Sequence, residues 1–388
     1  ITWMGVMTAL NPILSQQHGA GETAQVGETG RQGLWFGLLL GLAGMVLLLA
    51  AIPPFLWYLK LSDNVENMLA QYLMFTAPAM PAMMLHRALH AYASSLNRPK
   101  PIMWVSWAAL LLNIPLNYVF VYGKFGMPQL GGAGCGLATM LVCWFSTVAL
   151  WLYVKKSPYF HRFGLQGGFS KPDLAMLKQF WQLGKPAGLS YFLEASLFTF
   201  IMFLIAKFGN DYVAAQQIVI SLTGIIYMVP QAVGAAVTVR VGYSIGRRQK
   251  QRARYISGVG IACGLMLALC TMLLLSLLRA PLAGMYTKDA AVLQLAASVL
   301  LFQLFDFTQC IASYALRGYK ITRAPMLVHA AAFWGLGLIP GWLLANLAGM
   351  KIYGFWAALI VSLAAAAVLL VWLLEKHSRT IANHSRSS

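Results

Sequence analysis

Apolar runs of about twenty residues recur along this 388-residue chain, and short gaps between them hold most of its charge. A helix rises ~1.5 Å per residue, so each run is long enough to cross the ~30 Å hydrocarbon core of a bilayer. The runs predict one partial span ending near Leu14 and ten complete ones: 34–57, 69–92, 102–122, 133–154, 187–206, 213–239, 255–278, 290–316, 325–347 and 352–374. The class expected is an all-α polytopic membrane protein. The longest gap, 155–186, contains a Gly167–Gly168 pair and an amphipathic stretch over 171–183 that fits an interfacial helix. It separates an N-terminal lobe (1–154) from a C-terminal lobe (187–374), with a tail at 375–388.

Composition supports this reading. Hydrophobic residues make up 59% of the chain and charged residues 10%, against roughly 25% charged in a soluble domain. That excludes a cytosolic enzyme, a disordered chain and a secreted disulfide scaffold. The net charge of +18 would suggest nucleic acid in a soluble protein. Here the charge sorts by loop instead, so the expected partner is the lipid bilayer and not nucleic acid. One alternate set of loops, with the tail, carries 21 of the 28 Lys and Arg residues. The other set holds six, Lys60, Lys124, Lys207, Arg279, Lys288 and Lys351, and Arg87 lies within a span. The positive-inside rule places the basic set and the C-terminus in the cytoplasm. The five cysteines form no CxxC pair and read as small apolar packing residues.

The two sides of the long gap resemble each other. Arg31, Gly37 and Gly41 pair with Arg254, Gly260 and Gly264 at an offset of 223, and Pro101 pairs with Pro325 at 224. This is the pattern of duplicated half-transporters in parallel topology. Residue 1 falls opposite about residue 226, so the repeat predicts a whole span and part of another ahead of it. Leu73–Phe75 pairs with Leu300–Phe302 at offset 227, so the second copy reads as short by about one helical turn before Asp306.

Two acidic residues interrupt apolar runs: Glu194 in SYFLEASLF and Asp306 in LFDFTQC. An intramembrane carboxylate is costly, and its default reading is functional. The bland alternative is pairing with a nearby Arg or Lys, and no basic residue lies near mid-depth in either span. Counted from the span ends, the two reach similar depth and can share one cavity. Burial and mutual repulsion there favour a bound proton, sodium ion or organic cation, and such ligands exclude one another, which is the requirement of an antiporter. Gln309 follows Asp306 by three and Phe198 follows Glu194 by four, so each shares its helix face. Gln217 and Ser221 form a stripe on the next span, with Gln216 and Tyr227 on an adjacent one. Their oxygens suit sodium and their aromatic rings suit a flat cation; helix–helix hydrogen bonding is the equal alternative. His86 and His90 have metal-ligand spacing but no neighbouring carboxylate, and Asn113 and Asn117 flank Pro115 in a polar span. Walker A and HExxH sequences do not occur.

The segments GAGETAQVGETGRQGLWFG, SYFLEAS, VAAQQIVISL, DFTQCIASYALRGYK and IYGFWAALI resemble the multidrug and toxic compound extrusion (MATE) family, and most closely its NorM branch. The resemblance covers essentially the whole chain. It implies a monomer of twelve helices, in two six-helix lobes forming an outward-open V. It implies efflux of cationic, amphipathic drugs in exchange for Na+ or H+, with no other cofactor. The matching seventh-span Glu and tenth-span Asp place the cation site, including bound Na+, on Glu194 and Asp306. The residues matching Gln217 and Tyr227 contact cation or drug. The chain departs from the family in lacking the first helix, with its own functional Asp, and in a tenth span about four residues short. Two alternatives stand beside the antiporter: an inactive truncated copy, and a lipid-linked sugar flippase, which would want a basic cavity where this one is acidic.

Overall fold

The bilayer core offers no water to bond backbone groups, so long apolar stretches satisfy those groups by coiling into helices. A computed structural model describes residues 1–59, 62–165, 170–286 and 290–383, and every regular element among them is helical. In chain order these are α1 (Thr2–Met7), α2 (Leu10–Ala20), α3 (Thr23–Leu59), α4 (Asp63–Thr76), α5 (Ala79–Ser95), α6 (Lys100–Tyr122), α7 (Gly132–Lys156), α8 (Pro158–His161), α9 (Leu174–Ala206), α10 (Asn210–Gly246), α11 (Lys250–Tyr286), α12 (Ala290–Gly318), α13 (Arg323–His329), a π-helical segment (Ala330–Leu338), α14 (Ile339–Asn346) and α15 (Ile352–Asn383). Nine stretches among the described residues are long and apolar enough to span a membrane, including Thr23–Tyr58, Leu174–Ala206 and Ile352–Ile381. The span expected at 290–316 falls on α12. Lys60, Lys288, Gly167, Gly168 and the last five residues lie outside the described residues, as do the side chains over 278–303 where the shortened span was read.

Two elements differ from the sequence reading. The stretch 171–183 is not a separate interfacial helix. Most of it is the first part of α9, which runs unbroken through Pro186. Proline removes its own N–H and frees the Gln182 carbonyl four residues back; one turn on, Ser190 Oγ donates to the Pro186 carbonyl at 3.1 Å. The run 325–347 is not one uniform α-helix, because its middle widens into the π segment.

The chain forms two compact units, Val6–Gln182 and Ile1–Gly5 with Leu183–Ser388. In the N-terminal unit, α3 packs along α5, while α4, α5 and α6 lie against α7. Glycines set the closeness. A Cβ at Gly37 would sit 2.8 Å from the Met84 carbonyl oxygen, and one at Gly41 would strike the backbone of Pro81. In the C-terminal unit, α10, α11 and α15 all pack on α12. There a Cβ at Gly260 would sit 2.6 Å from Val237 Cγ2, and one at Gly264 would strike Ile311. The glycines paired by the sequence repeat thus make corresponding approaches in their own units. Gly134 and Gly354 extend the scheme: a Cβ at either would lie 2.6 Å from a backbone atom, Phe120 O for one and Ala345 N for the other. The duplicated sequence is a duplicated packing scheme, with small residues letting helix backbones meet.

The core of the C-terminal unit has two parts. One gathers Leu197, Ile201, Phe333, Phe355 and Trp356. The other gathers Val241, Ile311, Ala315, Leu316 and Leu370. Outward faces are equally apolar: α6 exposes Trp104, Leu111 and Ile114, a surface suited to lipid.

Candidate cation site

The two intramembrane carboxylates sit on α9 and α12 of the C-terminal unit. Asp306 is buried at 6% exposure and Glu194 is partly buried. Among the described residues, no Lys, Arg or His nitrogen forms an ion pair within 4.0 Å of either. Glu194 Oε2 accepts a long hydrogen bond of 3.4 Å from the Tyr227 hydroxyl on α10. Asp306 Oδ1 accepts from Gln309 Nε2 at 3.0 Å. Gln309 Oε1 in turn lies 3.0 Å from His329 Nε2. With its amide NH2 committed to Asp306, Gln309 must accept from His329, which assigns the imidazole proton to Nε2. The ring is held by parallel stacking on Phe333, centroids 5.2 Å apart and planes 3° from parallel. A chain of donors therefore runs from α13 into the Asp306 carboxylate.

Arg317 supplies the charge that sequence reasoning missed. Near a span end it reads as a basic loop residue, but it lies inside α12 at 5% exposure. Its guanidinium carbon lies 4.4 Å from the Tyr314 ring centroid and 5.2 Å from that of Tyr191. The hydroxyls of Tyr191 and Tyr314 bond each other, and Arg317 Nη1 is buried without a hydrogen-bond partner. Glu194, Tyr227, Gln309, Arg317 and His329 all line one small cavity, with room for about one water molecule. A buried charge needs balance from another charge or a bound ion. Asp306 stands outside that lining and joins it through Gln309, so one guanidinium set against two ionised carboxyls in this region leaves one negative charge for a proton or metal cation.

The other sequence candidates are placed differently. Gln216 is fully buried and its Oε1 accepts from Trp356 Nε1 at 3.0 Å, so it packs α10 against α15. Gln217 and Ser221 are exposed on α10, and Ser221 Oγ donates to the Gln217 carbonyl at 2.8 Å. Phe198 packs against the core cluster around Phe333 and Trp356. His86 and His90 stand with ring centroids 6.5 Å apart. Among the described residues, no group of three His, Cys, Asp or Glu side chains is placed to hold a metal ion. Asn117 Nδ2 donates to the Asn113 carbonyl and side-chain oxygens at 2.9 and 3.0 Å, which spends the pair on its own helix turn.

The MatE family model matches residues 1–119 and 186–343. The probable multidrug resistance protein NorM of Neisseria meningitidis serogroup A is 66% identical over 383 residues, covering 98% of this chain and 83% of its own length. The protein of the same name from Chromobacterium violaceum is 46% identical over 390 residues, again covering 98% of this chain and 83% of its own length. A solved structure of the MATE transporter NorM-NG, in a complex that includes a monobody, superposes with a TM-score of 0.86 at 57% identity, covering all of this chain and 85% of its own. The chain belongs to the MatE family. It is a NorM-type MATE transporter and not an enzyme.

Proposed function

We propose that this transporter performs multidrug efflux as a secondary antiporter, exporting cationic, amphipathic drugs in exchange for Na+ or H+ held at Glu194 and Asp306. The observation that supports the reading is the charge balance in the C-terminal unit, where two carboxylates share their surroundings with one buried guanidinium. Binding of the entering cation completes that balance. The membrane potential contributes about 2.3 kcal/mol per charge per 100 mV to its entry. Tyr227 and Gln309 orient the two carboxyl groups, and Gln217, Ser221 and Phe198 are drug-contact candidates on α10 and α9. An acidic site disfavours the phosphates of a lipid-linked sugar, which argues against a flippase. The protein acts as a monomer in a bacterial inner membrane, its C-terminal tail in the cytoplasm.

Ethidium efflux from cells expressing the chain, with and without an inward sodium gradient, is the direct test. Efflux that follows the gradient and falls at least about tenfold in Asp306→Asn, at unchanged expression, is the expected result. Efflux that ignores sodium but follows an imposed pH gradient assigns the proton as coupling ion. Unchanged efflux in Asp306→Asn overturns the site, and absence of efflux from the unaltered chain overturns the activity.

A further inference from the structure

In the N-terminal unit, one tyrosine fastens the stretch after α7 to the turn between α5 and α6. Phe160 and Phe163 are buried and anchor α8 and the residues behind it. The half-buried Tyr159 donates its hydroxyl to the Leu96 carbonyl at 2.9 Å, which fixes the ring. Two guanidinium groups use that ring. The Arg98 guanidinium carbon lies 4.2 Å from its centroid, and so does that of Arg162, which also reaches the Phe163 ring at 4.6 Å. Arginine stacks on an aromatic face and keeps its planar fork of donors for a second partner.

That second partner does not come from the described residues. Neither Arg98 nor Arg162 forms an ion pair within 4.0 Å among them. The carboxylates of this unit are placed elsewhere. Glu28 holds Arg31, and Asp173 accepts from the Ala175 N–H at 2.8 Å at the start of α9. Glu22, Asp63 and Glu66 form no ion pair. Two exposed cations thus share one ring, within roughly a Debye length of each other, where their repulsion is only partly screened. The C-terminal unit meets the same situation from its own chain. Glu375 Oε1 accepts from Arg254 Nη2 at 2.8 Å and from Arg379 Nε at 2.6 Å, so one anionic oxygen joins two guanidiniums.

The surroundings select the anion. Arg98 stands two residues before α6, and Arg162 follows α7 by six. Both span ends present exposed apolar residues, Met103 and Trp104 on α6 and Leu152 and Tyr153 on α7. Exposed Lys100 and Lys156 mark where each span leaves the apolar region, at headgroup level. A free phosphate gains nothing from the apolar residues, and a cationic drug is repelled by the arginines.

We infer that Arg98, Tyr159 and Arg162 form a binding site for an anionic phospholipid, its phosphate joining the two guanidiniums and its acyl chains lying along the exposed faces of α6 and α7. Basic sites at the ends of membrane helices recognise headgroups in this way.

The test is native mass spectrometry of the delipidated full chain, offered phosphatidylglycerol and phosphatidylcholine of identical acyl chains. Phosphatidylglycerol is expected to be retained about tenfold more than phosphatidylcholine. The double variant Arg98→Gln, Arg162→Gln is expected to bring the two lipids within about twofold of each other. Both side chains are exposed, so the fold is expected to survive. Tyr159→Leu leaves both charges in place but removes their platform, and is expected to lose most of the preference. Arg247→Gln, Arg248→Gln removes equal charge from the turn between α10 and α11, and is expected to keep it. Equal retention by the unaltered chain overturns the inference, as does a preference that survives the Arg98 and Arg162 changes or the loss of Tyr159. An equal fall in the Arg247 and Arg248 variant would show net charge at work and no built site. Displacement of phosphatidylglycerol by inorganic phosphate or a hexaglutamate peptide at comparable concentration overturns the choice of a lipid. None of these readouts depends on efflux, so failure of the antiport reading leaves the inference standing.

Discussion

Arg317 holds its place through two tyrosine rings and not through a carboxylate, its guanidinium carbon 4.4 Å from the Tyr314 centroid and 5.2 Å from that of Tyr191. That arrangement keeps a permanent positive charge at the cavity while leaving both carboxylates open to an exchangeable cation. A like charge disfavours cation binding, so removing it has a definite sign. In Arg317→Met the sodium concentration for half-maximal efflux is expected to fall about threefold or more, with Arg317→Lys close to the unaltered protein. A rise in that concentration, or no change, would remove Arg317 from the charge balance. The methionine variant is also expected to melt lower, because a buried charge network loses one member. At this scale the sequence was only half legible. Glu194 and Asp306 announce themselves because an ionised group inside an apolar run is costly. Arg317 sits one residue before the end of α12, where a basic residue reads as a loop signal, and His329 looks like any polar residue at a span boundary. What ties each to the site is the partner it meets across the fold, Tyr191 for one and Gln309 for the other, and no spacing along the chain encodes those meetings.

Helix against helix, the same glycine pattern carries different costs in the two units. A Cβ at Gly41 would meet the Cα and N of Pro81, backbone atoms that cannot step aside, whereas a Cβ at Gly264 would meet the flexible end of Ile311. Overpacking that forces backbone to move costs roughly 1–3 kcal/mol. Gly41→Ala is therefore expected to lower the melting temperature in detergent by several degrees, and Gly264→Ala by much less. Equal losses would show that helix propensity, and not contact, sets the cost. The repeat at offset 223 makes these glycines legible in the sequence, because small residues at helical spacing are themselves the packing signal. The continuous α9 was not legible, since Pro186 and the charged stretch before it imitate a boundary. The π segment at Ala330–Leu338 was hidden for a related reason: a run of apolar residues looks the same to a periodicity count whether each turn holds 3.6 residues or more.

For the molecule as a whole, the uneven loop charge is a statement about insertion, and it stands apart from the packing of either unit. The basic set of loops and the tail hold 21 Lys and Arg residues against six in the alternate set. Near span ends such a bias fixes which side each loop occupies, because basic loops resist translocation. The turn between α6 and α7 belongs to the sparse set and carries Phe125 at 90% exposure, so it offers a site where an inserted epitope leaves packing alone. An epitope placed between Gly126 and Met127 is expected to bind antibody on intact spheroplasts, and one placed after Asn383 only after permeabilisation. The reverse pattern would invert the proposed orientation, and with it the direction in which a cation entering at Glu194 and Asp306 drives the drug. Labelling of both epitopes on intact spheroplasts would mean that charge bias does not set the topology of this chain. The outcome thus bears on the proposed antiport cycle: under that proposal the loops set the side from which Na+ or H+ reaches the C-terminal unit, and Asp306, Glu194 and Arg317 set the affinity with which it is held.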